Sequence, residues 1–312
     1  MKAIRIHGRG GADHLVYEEA PQPHPGSGEV LVRVGATAVI ATELTWDETY
    51  QTPAGTPRQF PIPGHDLSGV VAEVGDGVTE FAIGDMVYAL LAFGRDGAET
   101  DYTIALPGEL APRPHTLDDT QAAAVPLAAL TAWQALFIHA ELTKEKSVLI
   151  HGAAGGVGTY AVQLARWAGA RVIATASARN GDFLRELGAE QVIDYATTPF
   201  EDVVHDVDVV FDMVGGETLA RSWQVVKPGG VIVSVVSPPP AEPTVTNGAH
   251  FVWFVVEPNG EQLRRIGAML DAGQIRPIVD QVFPLAEARQ AYIAAAQGHP
   301  RGKIVLRIDE GA

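Results

Sequence analysis

VLIHGAAGGVGTYAVQLARWAGARVIATAS, residues 148–177, is the stretch that decides the fold. An apolar run leads into the glycine-rich turn GAAGGVG, an amphipathic segment follows, and a second apolar run ends the stretch. Strand, glycine-rich turn, helix and strand, in that order, make up the βαβ unit that binds dinucleotides. The stretch therefore predicts a parallel sheet with a nucleotide-binding turn after its first strand.

The glycines of this turn have separate predicted roles. Gly155 and Gly156 let the backbone approach a pyrophosphate, and Gly158 lets the helix pack closely on the sheet. The N-terminus of the helix offers free N–H groups and the positive end of its dipole to the phosphates. Cofactor contacts are therefore predicted at Ala154, Gly155, Gly156, Val157 and Gly158.

The pattern of the chain changes near residue 120. Short β-branched runs separated by glycine and proline turns fill residues 1–119 and predict a small antiparallel barrel or sandwich. Residues 121–139 are predicted to be helical, and residues 257–312 return to a helix and end in a strand. Parallel strands covered on both faces are predicted at 147–151, 171–175, 191–194, 207–212 and 230–236. The proline-rich run at 237–243 is interpreted as a surface loop.

Composition excludes several classes of function. With 312 residues, 46% of them hydrophobic and 19% charged, the chain is an ordinary globular protein with room for two domains. Its net charge of −16 argues against nucleic acid and anionic membrane as partners, because both need a basic surface. The chain has no cysteine, which excludes disulfides, thiolate metal sites and a cysteine nucleophile. No apolar run is long enough to span a bilayer and the start has no signal-peptide core, so a cytoplasmic location is predicted.

Four stretches are informative together: PGHDLSGVVAEVG at 63–75, PLAALTAWQAL at 126–136, GAAGGVGTYAVQLAR at 152–166 and GKIVL at 302–306. In this order they resemble the medium-chain dehydrogenase/reductase superfamily, and most closely its zinc-free quinone oxidoreductase (zeta-crystallin-like) branch. The resemblance implies an α/β fold of two domains with the active site in the cleft between them. Residues 1–119 and 257–312 would form a chaperonin-10-like (GroES-like) β-barrel, and residues 120–256 a Rossmann domain with a doubly wound parallel sheet.

The same resemblance bears on metal binding. In zinc-dependent members of the superfamily a cysteine, the histidine of a GHE motif and a second cysteine or aspartate hold the catalytic zinc. His65 stands at that histidine, Asp66 replaces the glutamate, and the cysteine position falls on Ile40. Zinc needs three or four ligands that converge on one point. Asp66 and Glu43 remain as oxygen ligands, but without thiolates the resemblance implies no metal, and His65 is interpreted as lining the cleft or bonding a turn.

Without a metal, the implied reaction is hydride transfer to an acceptor that spreads the incoming charge by itself. Quinones and α,β-unsaturated carbonyls are such acceptors, since charge collects on an oxygen that needs only a hydrogen-bond donor. Thr42, which matches the superfamily's hydroxyl position, and Tyr50 are the predicted catalytic donors. Tyr50 as a surface aromatic is the open alternative, Trp46 is interpreted as a wall of the pocket, and Glu43 as a brace for the loop.

NADPH is the predicted cofactor. NAD-specific Rossmann folds place an acid at the end of the second strand to hold the ribose hydroxyls, and that position is Ala176 here. Ser177 and Arg179 follow it, and Tyr195 comes after the third strand, where relatives contact the 2′-phosphate. The absent acid and the nearby arginine favour a phosphate. By family position, further cofactor contacts are predicted at Thr131 and Val214.

Two alternatives stay open at this point, namely an enoyl reductase of secondary metabolism and a non-catalytic NADP-binding sensor or structural protein. The apolar run 251–256 reads as a strand. Exposed, it would be an aggregation-prone edge, so pairing with its twin in a homodimer is predicted. An interior strand under the C-terminal helix is the other interpretation of that run.

Overall fold

The computed structural model describes residues 1–236, 248–298 and 300–308. The strands are β1 (Lys2–Ile6), β2 (Leu15–Glu19), β3 (Val30–Ala38), β4 (Asp66–Val74), β5 (Met86–Leu90), β6 (Tyr102–Ala105), β7 (Leu110–Pro112), β8 (Ser147–His151), β9 (Arg171–Ala176), β10 (Gln191–Asp194), β11 (Val207–Asp212), β12 (Val226–Ser234), β13 (His250–Trp253), β14 (Val279–Pro284) and β15 (Lys303–Arg307). The helices are α1 (Asp47–Tyr50), α2 (Asp119–Ala123), α3 (Pro126–Trp133), α4 (Gly156–Trp167), α5 (Gly181–Leu187), α6 (Gly216–Ser222), α7 (Gly260–Asp271) and α8 (Ala288–Gln297). A π-helix at Gln134–His139 continues α3, and a 3₁₀ helix at Ala41–Thr45 follows β3.

The chain divides into two compact units, Met1–Leu130 with Glu257–Ala312, and Thr131–Val256. The first boundary therefore lies at Leu130 and not at the predicted residue 119. The reason is that α2, with a capping box on Asp118, packs on β3 and β4 of the first unit. The two ends of the chain share one unit, as the sequence predicts.

The second unit holds a six-stranded sheet in the order β10-β9-β8-β11-β12-β13. Every neighbouring pair in it is parallel, which confirms the predicted doubly wound sheet. The strand order reverses between β8 and β11, and ligands of such sheets bind outside the carboxyl ends of the strands at that point. Among the strands that the structure describes, β13 lies at the edge of this sheet, and it ends at Trp253, so the run 251–256 is only partly strand and does not form an interior strand of the described sheet.

The first unit holds a seven-stranded sheet in the order β14-β15-β3-β4-β5-β7, with β6 also paired to β3. Its pairs are antiparallel except β14 with β15, which is parallel. β15 therefore joins the end of the chain to β3 near its start. Tyr88 of β5 is fully buried, and its hydroxyl donates to the Leu263 carbonyl of α7 at 2.5 Å.

Residues 121–139, predicted as one helix, form α2, α3 and the π-helix instead. Pro126 explains the first break, because proline has no N–H to donate and is well suited to opening a helix. The predicted C-terminal helix is confirmed as α7, with Leu263 and Ile266 buried. The proline-rich run 237–243 lies outside the described residues. Among the residues that the structure does describe, no helix has the length and apolar character needed to cross a membrane.

Candidate functional site

The glycine-rich turn lies at the carboxyl end of β8 and leads into α4. Gly155 precedes the helix in an extended conformation, and the N–H of Gly155 donates to the Gly152 carbonyl at 3.1 Å. Within the described chain no side chain caps this helix, so its first-turn N–H groups face outward from the turn. Ala154, Gly155, Gly156 and Val157 are half-buried, which leaves their backbone accessible to a ligand.

Gly158 shows why the turn needs glycine at its end. A Cβ at this position would lie 2.6 Å from the Ala153 Cα, and real Cβ atoms do not approach backbone so closely. The helix therefore begins directly against the end of the strand. The close approach and the accessible backbone of residues 154–157 are the features that a pyrophosphate-binding turn requires. The residues of this turn fit a dinucleotide.

The predicted ribose-phosphate residues come together at the neighbouring strands. β9 ends at Ala176, which is nearly buried, and Asp194 of β10 is its register partner. The N–H of Tyr195 donates to the Ala176 carbonyl at 3.3 Å, and the Tyr195 side chain is 60% exposed. Ser177 accepts a hydrogen bond from the Asn180 amide at 3.2 Å, and Arg179 is exposed in the same short segment. One edge of the sheet thus presents the three predicted residues, Ser177, Arg179 and Tyr195, around the end of β9.

The turn after β11 is held by a buried carboxylate. Asp212 is fully buried, its Oδ1 accepts the N–H groups of Val214 and Gly215 at 3.2 and 3.0 Å, and its Oδ2 accepts the Ser234 hydroxyl at 2.9 Å. Val214, a predicted cofactor contact, is 50% exposed as a result. A Cβ at Gly152 would lie 3.6 Å from the Val214 Cγ2, so the turns after β8 and β11 are adjacent. Thr131 is buried in α3.

His151 sits at the end of β8, immediately before the glycine-rich turn, and sequence reasoning gave it no role. It is fully buried, with Nδ1 3.0 Å from the Thr175 hydroxyl and Nε2 3.1 Å from the Ser222 hydroxyl. Ser222 donates its own proton to the Thr218 carbonyl, so it accepts from His151 Nε2–H. Burial, with a smaller contribution from the charge of Arg221, lowers the pKa of His151 to about 3. His151 is therefore a neutral structural imidazole under the turn.

In the first unit, the two predicted donors lie close together in sequence but differ in their surroundings. Thr42 is exposed on the 3₁₀ helix Ala41–Thr45. The Tyr50 hydroxyl donates to the Leu44 carbonyl at 2.8 Å, and the Arg9 guanidinium lies 4.3 Å from its ring. Burial raises the pKa of Tyr50. The only proton of the phenol is therefore already engaged with backbone, and a role in catalysis would require that bond to break.

Glu43 and His65 form a buried pair. The carboxylate oxygens of Glu43 accept the Gly64 N–H at 2.9 and 3.1 Å, and Oε1 lies 3.2 Å from His65 Nε2. Gly64 has φ +86°, a conformation that favours glycine. The side chain of His65 is 2% exposed. The predicted bracing role of Glu43 is thus visible as bonds to the loop that carries Gly64 and His65.

Asp66 has a different partner. It is fully buried at the start of β4, and its Oδ1 accepts the Leu127 N–H at 2.6 Å. Lys303 of β15 brings its ammonium within 3.0 Å of the Asp66 Oδ2. Burial raises the pKa of Asp66, although Lys303 and the Leu127 N–H act in the opposite direction. A buried ion pair therefore connects the start of β4 to the start of β15.

These surroundings do not fit a metal. The Glu43 carboxylate already contacts His65 and the Gly64 N–H. Asp66 is ion-paired with Lys303 and accepts the Leu127 N–H, and the Ile40 side chain has no atom that can bind a metal. The ammonium of Lys303 beside Asp66 would also repel a second cation. In the part of the chain that the structure describes, no three or more histidine, aspartate or glutamate side chains are grouped to hold a metal ion.

Glu99 and Tyr292 form a second buried pair that no sequence pattern indicated. Both are buried, and the Tyr292 hydroxyl donates to the Glu99 Oε1 at 2.8 Å, while Oε2 has no hydrogen-bond partner among the described residues. A Cβ at Gly64 would lie 2.7 Å from the Glu99 Cγ, so Glu43 and Glu99 both lie beside this glycine. Burial and the charge of Glu43 hold the pKa of Glu99 well above its ordinary value.

Comparison with known proteins gives matches over most of the chain. Residues 26–109 match the family described as alcohol dehydrogenase GroES-like domain, which agrees with the predicted barrel, and residues 187–306 match the family described as zinc-binding dehydrogenase. A probable zinc-binding oxidoreductase of mitochondria from Arthroderma benhamiae is 37% identical, with 95% of this chain and 94% of the relative covered. A chloroplastic NADPH-dependent alkenal/one oxidoreductase from Arabidopsis thaliana is 32% identical, with 98% and 79% covered.

A solved structure extends this likeness to three dimensions. The quinone oxidoreductase from Coxiella burnetii superposes with a TM-score of 0.89 at 32% identity, and 99% of each chain is covered. Such agreement over the whole length confirms the predicted combination of a GroES-like unit with a Rossmann unit.

Proposed function

Because the chain belongs to the medium-chain dehydrogenase/reductase superfamily, in its quinone oxidoreductase (zeta-crystallin-like) branch, we propose that it is an NADPH-dependent reductase. Its acceptor is a quinone or an α,β-unsaturated carbonyl, and it works without a metal. The names of the relatives support the more general statement that the chain is an NAD(P)H-dependent oxidoreductase of the quinone oxidoreductase type. The cytoplasmic location stays a prediction, since relatives carry mitochondrial and chloroplastic names.

The observation that carries the proposal is the row of adjacent turns at the carboxyl edge of the parallel sheet. The turn after β8 offers backbone N–H groups for a pyrophosphate, and the turn after β11, fixed by Asp212, lies beside it. Bound there, the nicotinamide cofactor supplies a hydride. The residues of the chain would hold it, with residues 154–158 at the phosphates and Thr131 and Val214 as further contacts.

The choice of NADPH over NADH rests on the end of β9. Ala176 stands where an acid would hold the ribose hydroxyls of NAD, and its small apolar side chain has nothing to repel a phosphate. Arg179 supplies a guanidinium that can bond a phosphate with two parallel N–H groups. Tyr195 is tied to the same strand end through its backbone. Together with Ser177 these residues would bind the 2′-phosphate.

The choice of acceptor rests on the first unit. The residues around His65 do not fit a metal, so the proposed reaction is one that needs no Lewis acid. A conjugated acceptor takes hydride at one end and gathers charge on an oxygen at the other, where a hydrogen-bond donor stabilises it. Thr42, exposed on its 3₁₀ helix, and Tyr50 are the donors proposed from the sequence.

Oxidation of NADPH and of NADH with a panel of acceptors tests the proposal. The panel is menadione, crotonaldehyde, a crotonyl thioester and a saturated aldehyde, each with and without a chelator. We expect NADPH to be oxidised with menadione and crotonaldehyde, and the chelator to have no effect. Turnover of the thioester alone would instead identify an enoyl reductase. Binding of NADPH without turnover of any acceptor would identify a non-catalytic protein.

A further inference from the structure

His65 is a buried histidine with only half of its hydrogen-bonding capacity used. Its side chain is 2% exposed and its Nε2 faces Glu43 at 3.2 Å. The other ring nitrogen, Nδ1, is buried and has no hydrogen-bond partner among the residues that the structure describes. Buried polar atoms in native proteins are almost always paired, so each exception calls for an explanation. A ligand that arrives during function is one.

We propose that His65 contacts the oxygen of the acceptor through Nδ1, and that Glu43 is the positioning residue that fixes its ring. The proposal rests on the proposed function, because it assigns a residue to the acceptor of that reaction. It differs from the sequence prediction, which placed the donor role on Thr42 and Tyr50. It also gives His65 a task that needs no metal.

Glu43 is well placed to orient the ring. Both of its carboxylate oxygens accept the Gly64 N–H, and its backbone carbonyl accepts the Thr49 hydroxyl at 2.7 Å. A carboxylate can only accept hydrogen bonds, so the ring nitrogen that faces it carries a hydrogen. Nδ1 is thereby directed away from Glu43. The same arrangement of an acid behind a histidine fixes tautomer and orientation in catalytic triads.

The surroundings of His65 suit a flat, conjugated ligand. The ring of Phe93 meets His65 edge to face with a centroid distance of 4.9 Å, and Trp46 meets Phe93 in the same way at 5.4 Å. Phe93 and Trp46 are half-buried, so this aromatic row connects the buried imidazole to the surface of the unit. Trp46 follows the 3₁₀ helix that carries Thr42 and Glu43. Aromatic faces of this kind stack well on quinones and enones.

An imidazole suits an acceptor oxygen whose charge and hydrogen-bonding role change during reduction. In both kinds of acceptor the oxygen begins as a carbonyl and gathers negative charge when hydride adds; a quinone oxygen then ends as a hydroxyl, whereas an enolate is protonated on carbon and its oxygen returns to a carbonyl. Because Nε2 already carries a hydrogen toward Glu43, the ring donates through Nδ1 only as an imidazolium, which would stabilise the negative charge on the oxygen; if the Nδ1 proton passes to a quinone oxygen, the neutral ring that remains can accept from the new hydroxyl. Charged groups near the ring are Glu43 and the adjacent Asp66, whose charge is balanced by Lys303.

Steady-state kinetics of His65 and Glu43 variants test the assignment. Removing one preorganised donor lowers kcat by about 100- to 1,000-fold in other enzymes. We therefore expect His65→Phe to lower kcat/KM for menadione and for crotonaldehyde by about that factor, with the Kd of NADPH unchanged. Glu43→Gln is expected to lower kcat and leave KM nearly unchanged, because the ring is still present but less well oriented. His65→Gln, which retains a donor, is expected to recover part of the activity lost in His65→Phe.

The matched control is an exposed histidine–glutamate pair on the same unit. His24 Nδ1 lies 3.9 Å from Glu73 Oε2, and the His24 side chain is 78% exposed, so His24→Phe should leave the kinetics unchanged. Wild-type kcat/KM in His65→Phe, or a loss of NADPH binding in step with turnover in both His65 variants, would overturn the assignment of His65 alone. A wild-type protein that reduces neither acceptor would overturn the proposed function, and this inference with it.

Discussion

The backbone N–H of Tyr195 donates to the carbonyl oxygen of Ala176, at a distance of 3.3 Å. This bond joins the loop after β10 to the end of β9, although 19 positions separate the two residues (195 − 176). It places the exposed ring of Tyr195 beside the segment that carries Ser177 and Arg179. Cofactor preference should therefore be decided by this segment.

Arg179→Ala should raise the KM for NADPH and leave the KM for NADH nearly unchanged. The 2′-phosphate is the only difference between the cofactors, and on a protein of net charge −16 it needs a local cation. A hydrogen bond to a charged group contributes about 1.5–3 kcal/mol, which is roughly ten- to a hundredfold in affinity. Measuring kcat/KM for both cofactors checks this. Adding Ala176→Asp should shift the preference further, since a carboxylate repels phosphate and accepts from ribose hydroxyls.

Arg185→Ala is the control for that experiment. Arg185 belongs to α5 and pairs with Asp182 at 2.9 Å on the surface, so its loss should leave kcat/KM for both cofactors unchanged. If Arg179→Ala weakens the binding of NADPH and of NADH equally, or if the wild type prefers NADH, the pocket for the 2′-phosphate lies elsewhere.

The purified protein should contain no stoichiometric zinc. Lys303 already supplies a cation to Asp66, and Glu43 already bonds the Gly64 N–H, so neither carboxylate is available to complete a site at His65. Elemental analysis and activity before and after chelation check this. One equivalent of zinc per chain, with activity lost to the chelator and restored by the metal, would contradict it.

Trp253→Lys or Val255→Lys should shift the protein from dimer to monomer. Within the described residues β13 pairs only with β12, and these two side chains are 47% and 60% exposed. An apolar edge strand of this kind pairs with another edge, and charge at the edge prevents it. Sedimentation velocity at micromolar concentration measures the change.

The control for the dimer is Val203→Lys, because Val203 is 45% exposed on the same unit but belongs to the segment between β10 and β11 and not to the run 251–256. It should leave the oligomeric state unchanged. A wild type that is already monomeric would show that residues 251–256 do not form an interface.

Patterns along the chain predicted the central parallel strands well because almost all residues of β8, β9 and β11 are buried, so that apolar runs and strands coincide. The strands β8, β10 and β11 have the predicted bounds. β12 begins earlier, at Val226, because the backbone of Val226 pairs with Val207 of β11 ahead of an irregularity in the register. Backbone pairing leaves no trace in side-chain pattern.

Sequence patterns could not predict the polar pairs of the first unit, because their members are far apart along the chain. Glu99 and Tyr292 are separated by 193 positions, and Asp66 and Lys303 belong to β4 and β15. Periodicity and short motifs describe neighbours within a few residues, whereas these contacts depend on how β15 and α8 return to the start of the chain. His65 and Glu43 could both be singled out from the sequence, but the pair that they form required the fold.

The protein should lose stability as pH falls below about 6.5, in part through His151. Burial lowers the pKa of His151 from 6.5 to about 3, so the unfolded chain binds a proton there that the folded chain does not. The stabilisation is therefore present above the ordinary pKa and is lost as pH falls toward the folded value. His151→Gln should be less stable at neutral pH yet show a shallower decline in this window. Urea unfolding at a series of pH values checks this prediction. An equal dependence of unfolding free energy on pH in the wild type and in His151→Gln would contradict it.

Glu99→Gln should make the protein more stable at neutral and alkaline pH. The pKa of Glu99 is raised by burial first and by Glu43 second, so the folded chain holds this proton more tightly than the unfolded chain. The contribution to stability is full below the ordinary pKa of 4.5 and is lost as pH rises toward the folded value. A single group changes the free energy of unfolding by at most about 1.4 kcal/mol per pH unit.

Glutamine matches the protonated acid in shape and still accepts from the Tyr292 hydroxyl, so the variant should show a flatter dependence of unfolding free energy on pH. Tyr292→Phe is the informative partner variant, because it leaves the Glu99 Oε1 buried without a donor and should destabilise by about 1–3 kcal/mol. Glu73→Gln, at an exposed position, should change neither the free energy of unfolding nor its dependence on pH. Urea unfolding between weakly acidic and weakly alkaline pH measures all four proteins. A Glu99→Gln variant that is less stable than wild type at alkaline pH, with an unchanged slope, would mean that Glu99 is ionised in the folded protein and stabilised by its surroundings.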